Sequence, residues 1–183
     1  MQEKTVKKPK KRTITASMFF QYWLCPHWPY WDIYGDPKRK RKRSKFAEML
    51  LELGTLHEKD IIARLPHIEV KHRGTLAVRY KKTLELMREG TERIYHGVLV
   101  ADSGEGSAVL VGEPDILERR DDESSDIGPY HYVAVDIKSA EKLSDAHKYQ
   151  LVFYGELLKA VQGVRPHAGY VLIGIVAGTT RGV

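Results

Sequence analysis

The chain has 183 residues, of which 42% are hydrophobic and 30% charged, and it carries a formal net charge of +6. That length suffices for one compact domain but not for two full-sized ones. No apolar run approaches the roughly 20 residues that a membrane helix needs, and the basic N-terminus leads into no apolar signal-peptide segment. We therefore expect a basic disordered tail over 1–12, one domain over 13–183, no membrane partner, and a cytoplasmic location, or a nuclear one in a eukaryote.

The positive charge is concentrated in two short tracts. Residues 1–12 hold six Lys/Arg against one Glu and residues 38–45 hold seven with no acid, so the rest of the chain has 17 basic residues against 23 acidic ones. Basic tracts neutralise phosphates whatever the base sequence. A solvated loop or a nuclear-localisation signal is the alternative. In the second tract we expect six consecutive cations to contact DNA: Lys38, Arg39, Lys40, Arg41, Lys42 and Arg43.

The first half of the chain predicts three helices. The first begins near Thr15 and ends before Cys25-Pro26, because the residue before a proline avoids helical geometry. The second is capped by Ser44 and runs to about residue 65, and the third covers roughly residues 78–88. Spacings of three and four along the second helix predict an apolar seam that also carries His57. The seam residues are Phe46, Leu50, Leu53 and Ile61.

The second half predicts strands around one long helix. Residues 94–101 and 107–111 flank a Gly-rich turn and predict a hairpin, and the β-branched run 132–137 predicts a central strand. Residues 144–162 form an amphipathic helix that Gly163 would end, and residues 168–176 predict a last strand. The order αβββαβ on a mixed central sheet, with an N-terminal helical extension, is an α/β fold.

One strand end carries the residues that define the expected chemistry. Side chains alternate along a strand, so Asp136 and Lys138 share one face while Ile137 points into the core. Carboxylates, here including Asp115, are the ligands that Mg²⁺ and Mn²⁺ prefer, and a lysine beside the metal-bound water can hold the nucleophile and offset charge on a phosphate. We expect Asp115, Asp136 and Lys138 to be catalytic. The two carboxylates and the Ile137 carbonyl oxygen are the expected metal ligands.

Three further residues fit such a site. His57 can add a ring nitrogen to the metal shell, which would favour Mn²⁺. Gln150 and Tyr154 are four residues apart, so they share one helix face and can address the phosphates or bases of DNA. Each piece has a plainer alternative, because an Asp-x-Lys pair is usually a surface ion pair and a histidine or tyrosine on a packing stripe is usually a core residue. Four pieces occur in order along the chain: His57, Asp115, the Asp136–Lys138 pair and the Gln150–Tyr154 pair. Their occurrence together favours the metal site.

Together these pieces resemble the RecB-type branch of the PD-(D/E)xK nuclease superfamily, over about residues 13–176. Its G-x-x-H, G-x-x-D, D-x-K and Q-x-x-x-Y motifs match residues 54–57, 112–115, 136–138 and 150–154. The resemblance implies a restriction-endonuclease-like core with three metal ligands, His57, Asp115 and Asp136. Lys138 is then the catalytic lysine, and Gln150 with Tyr154 is the DNA-orienting pair.

The resemblance is incomplete at the cysteines. The sequence around Cys25-Pro26 is similar to the Y-x-x-C-P opening of the CRISPR adaptation exonuclease relatives, many of which bind a four-iron cluster through four cysteines. Cys25 is the single cysteine of this chain. We expect no iron–sulfur cluster in this chain, and the ending AGTTRGV leaves open that it is a fragment of a longer protein with further cysteines.

Aromatic residues crowd beside the second basic tract. Residues 19–34 hold all three Trp and eight of the seventeen aromatic residues. Rings that stack on bases beside cations that bind phosphates are typical of single-strand binding. Core packing is expected for most of these rings. Trp28 and Trp31 are the best stacking candidates, because the prolines around them indicate an irregular, exposed loop.

These features predict a Mg²⁺- or Mn²⁺-dependent deoxyribonuclease, an exonuclease that acts on single-stranded DNA or DNA ends in repair or defence. A catalytically inactive nucleic-acid-binding module of the same fold is the main alternative, although a decayed site would be expected to lose Lys138 or a carboxylate. A third hypothesis is a nuclease directed to RNA, because cations that read the backbone do not distinguish the two sugars.

Overall fold

The computed structural model describes residues 12–104, 108–140 and 142–174. The five helices found there are α1 (Ala16–Leu24), α2 (His27–Tyr34), α3 (Lys45–Ala63), α4 (Leu76–Arg88) and α5 (Asp145–Gln162). The eight strands found there are β1 (Arg12–Thr15), β2 (Ile68–Glu69), β3 (Arg93–Tyr95), β4 (Leu99–Asp102), β5 (Ala108–Gly112), β6 (Ile116–Arg120), β7 (His131–Lys138) and β8 (Tyr170–Ile173). The protein is therefore α/β, and no described helix has the length and apolar character of a membrane span.

The predicted helix ends are confirmed by their capping contacts. Thr15 accepts a hydrogen bond from Met18 N–H at the start of α1. Ser44 and Ser144 cap α3 and α5 in the same way. At the other end of α5, Gly163 adopts a left-handed conformation with φ of 78°, which glycine enters at little cost. The predicted basic tail lies outside the described residues except at Arg12, which begins β1.

The strands form two sheets. The larger has the order β2-β3-β6-β7-β8, and the smaller has the order β1-β5-β4. Strand β7 is interior, as predicted, because it pairs antiparallel with β6 and parallel with β8. Helix α5 is the crossover that a parallel β7–β8 pair requires. Both sheets are mixed.

The predicted order αβββαβ placed the hairpin of residues 94–101 and 107–111 beside the central strand in one sheet, and this grouping was wrong. The hairpin of β4 and β5 forms as predicted, but it pairs with β1 in the smaller sheet. The strand beside β7 is instead β6, whose sequence ILERR lacks an apolar alternation and merges into the acidic loop. The predicted strand 94–101 also divides at His96 into β3 and β4, which belong to different sheets. The order αβββαβ is therefore built from α4, β3, β6, β7, α5 and β8.

The core lies on both faces of β7, which explains why this strand is a continuous apolar run. On one face, Tyr132 and Ala134 belong to the cluster that includes Leu157 and Leu158 of α5. On the other face, Val133, Val135 and Ile137 pack in the cluster that includes Ile62 of α3. The alternation of β7 therefore assigns its even-numbered residues, including Asp136, to the α5 side.

The predicted seam of α3 is only partly buried. Phe46 and Leu50 are 65% and 51% exposed, whereas Ile61 and Ile62 near the end of the helix pack against the sheet. The helix therefore contacts the core through its C-terminal half. Periodicity specified which side chains share a face, but it did not specify how much of that face has a neighbour.

Candidate active site

The last residues of β7 form a direct ion pair. Lys138 Nζ lies 2.5 Å from Asp136 Oδ2, as expected for residues that share a strand face. Asp136 is only 1% exposed, whereas the Lys138 side chain is 26% exposed. Ile137 is buried on the opposite face. The lysine can therefore reach solvent while the carboxylate beneath it cannot.

Asp115 joins this pair from the turn just before β6. Strands β6 and β7 are antiparallel with Ile116 opposite Val135, so the next step along the pair brings Asp115 to Asp136. Asp115 Oδ2 accepts a 2.6 Å hydrogen bond from Ile137 N–H and lies 4.0 Å from Lys138 Nζ. Two carboxylates and one ammonium group thus meet at one end of the larger sheet.

The charge of Asp115 is strongly affected by this setting. Burial, followed by the negative charge of Asp136, raises the pKa of the Asp115 carboxyl to about 7. The Lys138 ammonium and the Ile137 N–H oppose that rise. Such a carboxyl group can exchange a proton for a cation near neutral pH, which is the behaviour expected at a functional site.

Helix α5 is attached to the same region through Tyr154. The Tyr154 hydroxyl donates to Glu113 O at 3.2 Å, and Gln150 Nε2 donates to the Tyr154 oxygen at 3.0 Å. Burial, followed by the Asp136 charge, raises the pKa of Tyr154, so the phenol is a neutral donor. Tyr154 is also part of the main core at 2% exposure. The predicted Gln150–Tyr154 pair therefore lies at the Gly112–Asp115 turn.

Two contacts hold that turn in place. Arg79 of α4 makes a two-pronged ion pair with Glu113, at 2.7 and 3.1 Å. Gly112 leaves room for α5, because a Cβ at this position would lie 2.5 Å from Leu157 Cδ1 and 2.9 Å from Tyr154 Cδ1. The glycine of the G-x-x-D motif is thus needed for close helix–strand packing. Neither contact was predicted from the sequence.

His57 lies beside the residue that follows β8. Its ring packs against Gly174, which follows β8, and a Cβ on that glycine would lie 2.4 Å from His57 Cε1. Gly174 N–H donates to Lys138 O at 3.2 Å, so the ring lies near the backbone at the end of β7. His57 Nε2 is buried and has no hydrogen-bond partner in the described part of the chain.

The donor atoms fit a divalent cation in part. Asp136 Oδ2 is also buried without a hydrogen bond in the described residues. The Lys138 ammonium lies 2.5 Å from this oxygen and neutralises it as an ion pair. Buried polar atoms normally have partners, so the unpartnered His57 Nε2 is consistent with a ligand that completes it, whereas Asp136 Oδ2 already has the Lys138 ammonium beside it. Across residues 12–104, 108–140 and 142–174, however, no three His, Cys, Asp or Glu side chains are already gathered as a metal shell.

A carboxylate that the sequence analysis missed is held on α3 by side chains at the end of β3. Glu58 follows His57 on α3, and its Oε1 accepts a 2.8 Å hydrogen bond from the Tyr95 hydroxyl. His96 Nε2 lies 3.2 Å from the same oxygen. The hydrogen bond from His96, opposed by burial and assisted by Tyr95 and the Lys138 charge, lowers the pKa of Glu58. Its position directly after His57 was the only sequence signal.

The basic tract and its aromatic neighbours lie on the surface. All six predicted DNA contacts, residues 38–43, are exposed, although Lys40 pairs with Asp32 at 2.5 Å. Trp28 and Trp31 are 44% and 63% exposed. They lie on α2 rather than in the expected irregular loop, because Pro29 falls in the first turn, where its missing N–H costs nothing. A cleft of about 520 Å³ lies between Trp31 and Lys40.

Core packing, which the sequence analysis expected for most of the rings in residues 19–34, was wrong. Six of the eight rings are exposed, and Phe19 and Phe20 are half-buried. Phe19 contacts Phe153 of α5 with ring centroids 5.7 Å apart, and the Trp23 ring lies 3.8 Å from that of Tyr149. These contacts hold α1 against α5.

Comparison with known proteins adds no relative, since no family model matches the sequence and neither the curated proteins nor the solved structures include a match.

Proposed function

We propose that this chain is a Mg²⁺- or Mn²⁺-dependent deoxyribonuclease that acts on single-stranded DNA or DNA ends. The observation that carries the proposal is the meeting of Asp115, Asp136 and Lys138 at one sheet end. The buried His57 Nε2, which has no hydrogen-bond partner among the described residues, supports it. We propose further that α4, β3, β6, β7, α5 and β8 form a restriction-endonuclease-like core.

The residues of this chain have separable roles in the proposed reaction. Asp115 and Asp136 would hold the cation, with the Ile137 carbonyl oxygen and His57 as further candidate donors. A bound divalent cation supplies charge for the phosphate and acidity for an attacking water. Lys138 is the partly exposed cation at the site, so it can orient that water and offset charge on the scissile phosphate. Tyr154 and Gln150 hold the turn before Asp115. Because Tyr154 is buried, Gln150 is the member of the predicted pair that would address the DNA.

The exposed surface supports a nucleic-acid substrate. Cations at residues 38–43 can neutralise phosphates, and the Trp28 and Trp31 rings beside them can stack on bases. Single-stranded DNA is the favoured form because bases that are free of a duplex can reach these rings. Repair or defence is the expected setting for such an activity, in the cytoplasm or, in a eukaryote, in the nucleus.

The decisive experiment is a cleavage assay with labelled single-stranded DNA, double-stranded DNA and RNA, each with Mg²⁺, Mn²⁺ or a chelator. Wild type is compared with Lys138→Ala and with Lys159→Ala, a matched change on the exposed side of α5. We expect metal-dependent cleavage of DNA that Lys138→Ala reduces at least about 100-fold, the scale of one lost electrostatic contact in a transition state. Lys159→Ala should cleave as wild type does.

Each other result points to a different function. Equal cleavage by wild type and Lys138→Ala would trace the activity to a contaminant and contradict the proposal. Binding of DNA without cleavage under any metal would favour an inactive binding module. Preferential cleavage of RNA would redirect the substrate assignment while retaining the site.

A further inference from the structure

The cleft beside Trp31 brings an aromatic ring, cations and carboxylates to one cavity. Its volume is about 520 Å³, and the side chains that line it include Trp31, Asp32, Asp36, Arg39 and Lys40. They come from the end of α2 and from the short 3₁₀ turn that follows it. Small-molecule sites usually enclose about 300–1,000 Å³. The cleft therefore has the size for one small ligand, such as a single nucleotide.

The Trp31 ring has open space beside it. The residue is 63% exposed. Gly35, which lines the same cleft, has no side chain to fill that space, because a Cβ there would overlap Trp31 O and lie 3.5 Å from Trp31 Cε3. An exposed ring at the wall of a cleft can stack on an unpaired base, and such stacking tolerates any base.

The cations of the cleft favour a ligand that carries a phosphate. Lys40 Nζ lies 2.5 Å from Asp32 Oδ1, and the Lys40 side chain remains 69% exposed. The ammonium group therefore neutralises Asp32 and can still contact a phosphate. Arg39 is exposed beside it, and the rest of the tract at residues 38–43 follows. A cationic ligand is disfavoured in these surroundings, whereas a polyanion is attracted.

Asp36 is a carboxylate that the backbone holds in one orientation. Its Oδ1 accepts a 2.9 Å hydrogen bond from Lys38 N–H, which caps the 3₁₀ turn. Its Oδ2 accepts no hydrogen bond from the residues that the structure describes. An ionised carboxylate oxygen is an acceptor only, so it can bind the amino group of a base but not a base carbonyl.

We infer that this cleft is a single-nucleotide subsite in which Trp31 stacks on the base and Asp36 selects bases that carry an amino group. The inference rests on the proposed function for its ligand, single-stranded DNA. Arg39 and Lys40 bind the adjoining phosphates. Cytosine presents an amino group where uracil and thymine present a carbonyl oxygen, so Asp36 Oδ2 attracts cytosine and repels the other two pyrimidines.

The inference is tested by fluorescence anisotropy of the full chain with two labelled single-stranded oligodeoxynucleotides, one of cytosine and one of uracil. A chelator is present, so binding is measured without cleavage. The two bases match in size and differ in the amino group. Wild type should bind the cytosine strand at least about 5-fold more tightly, the scale of one specific base contact. Equal affinities would rule out base selection in the cleft.

Asp36→Asn replaces the free acceptor by a donor and keeps the turn. Asparagine can still accept Lys38 N–H through Oδ1, and its amide NH₂ then takes the place of Oδ2. The cytosine preference should be lost or inverted. The ratio of the two affinities is the readout, because removing a negative charge strengthens binding of every strand. Asp60→Asn, an exposed change on α3, should keep the wild-type ratio, and the same ratio in Asp36→Asn would overturn its assignment.

Trp31→Ala tests the stacking contact. It should weaken binding of both strands by at least about 5-fold, the effect of losing one base–aromatic contact. Tyr22→Ala removes a ring of similar exposure, 57%, from α1 and outside the cleft, so it should bind as wild type does. If Trp31→Ala binds as tightly as Tyr22→Ala, the cleft is not a nucleotide subsite.

The inference and the proposed function fail in different ways. If wild type cleaves DNA with metal while Trp31→Ala and Asp36→Asn bind both strands as wild type does, only the inference is wrong. If wild type shows the cytosine preference and both variants change it as expected, but no metal supports cleavage, only the nuclease assignment is wrong. Wild type that neither binds nor cleaves single-stranded DNA would contradict both.

Discussion

At the scale of single residues, Asp115 shows how a fold changes the behaviour of an ordinary side chain. Its carboxyl group is buried, lies opposite Asp136 and accepts the Ile137 N–H, and the net result is a pKa of about 7. The sequence identifies Asp115 by its spacing from Gly112. It does not identify Asp136 as the neighbour that opposes ionisation, because 21 positions separate the two along the chain.

Replacing Asp115 by Asn should change how stability depends on pH. Between the ordinary pKa near 4 and about 7, folded wild type retains a proton that the unfolded chain has lost, so its free energy of unfolding falls as the pH rises through that window. Asp115→Asn has no carboxyl group to titrate, so its free energy of unfolding does not fall in this way. Its side-chain amide oxygen can still accept the Ile137 N–H. In thermal unfolding with a chelator, we expect the melting temperature of Asp115→Asn relative to wild type to rise from pH 5 to pH 8.

A control for this experiment is Asp60→Asn, which changes an exposed carboxylate that pairs with Arg64. Its melting temperature relative to wild type should vary little over the same range. If Asp115→Asn and Asp60→Asn show the same pH dependence, the Asp115 carboxyl does not retain its proton in the folded chain.

At the scale of elements, α5 links the candidate site to the main core. Its Tyr154 and Leu157 lie against Gly112 at the end of β5, and its last residue, Gln162, is fully buried. Gln162 accepts from Tyr132 N–H at 2.8 Å and donates to Tyr132 O at 3.0 Å. The amphipathic period predicted the helix and its stripe, but it classed Gln162 only as a helix end.

Gly112→Ala should destabilise the protein because the new methyl group would overlap the α5 side chains. We expect a loss of about 1–3 kcal/mol in the free energy of unfolding, the usual cost of overpacking a core. Gly155→Ala is the matched control on α5, where a Cβ meets nothing within 4 Å, and it should gain up to about 1 kcal/mol from helix propensity. Urea unfolding measures both, and a neutral Gly112→Ala would show that α5 does not pack closely there.

Gln162→Leu should destabilise the protein because it leaves Tyr132 N–H and Tyr132 O buried without partners. Each such group costs about 1–3 kcal/mol, so a total loss of at least about 2 kcal/mol is expected. Gln21→Leu, on the half-buried surface of α1, makes the same chemical change and should have little effect. Equal unfolding midpoints for the two variants in urea would argue against the buried bridge between α5 and β7.

At the scale of the whole molecule, positive charge and candidate chemistry are separated. The cations at residues 38–43 are exposed on the segment between α2 and α3, whereas Asp115 and Asp136 lie at the sheet end with Lys138. The part of the chain outside the two basic tracts has more acidic than basic residues. Attraction of a polyanion is therefore expected to depend on the tracts rather than on the site.

The triple change Arg41→Ala, Lys42→Ala, Arg43→Ala should weaken single-stranded DNA binding and reduce its salt dependence. Each neutralised phosphate on a single strand contributes about 0.7 to the slope of log affinity against log salt, so the slope should decrease by about 2. The slope is measured by fluorescence anisotropy in the presence of a chelator, at salt concentrations from about 50 to 300 mM. A control with Lys81→Ala and Lys82→Ala on α4 should keep the wild-type slope, and an unchanged slope in the triple variant would exclude the tract as a DNA contact.

Local information in the sequence determined α1, α3, α4 and α5 and the alternation of β7, although it missed α2, where the prolines indicated a loop. Thr15, Ser44, Ser144 and Gly163 act within a few residues of themselves, and the two-residue period of a strand is sufficient to pair Asp136 with Lys138. These features depend on neighbours along the chain, so a single sequence carries them.

Only the tertiary structure decided which strands share a sheet and which distant side chains meet. The sequence did not distinguish β6 from the acidic loop, and it did not divide the predicted strand at His96. It also did not bring Glu58 from α3 to Tyr95 and His96, or Arg79 to Glu113. Contacts of this kind join residues more than 30 positions apart, and they arise from the burial of both faces of β7, a collective property that no local pattern records.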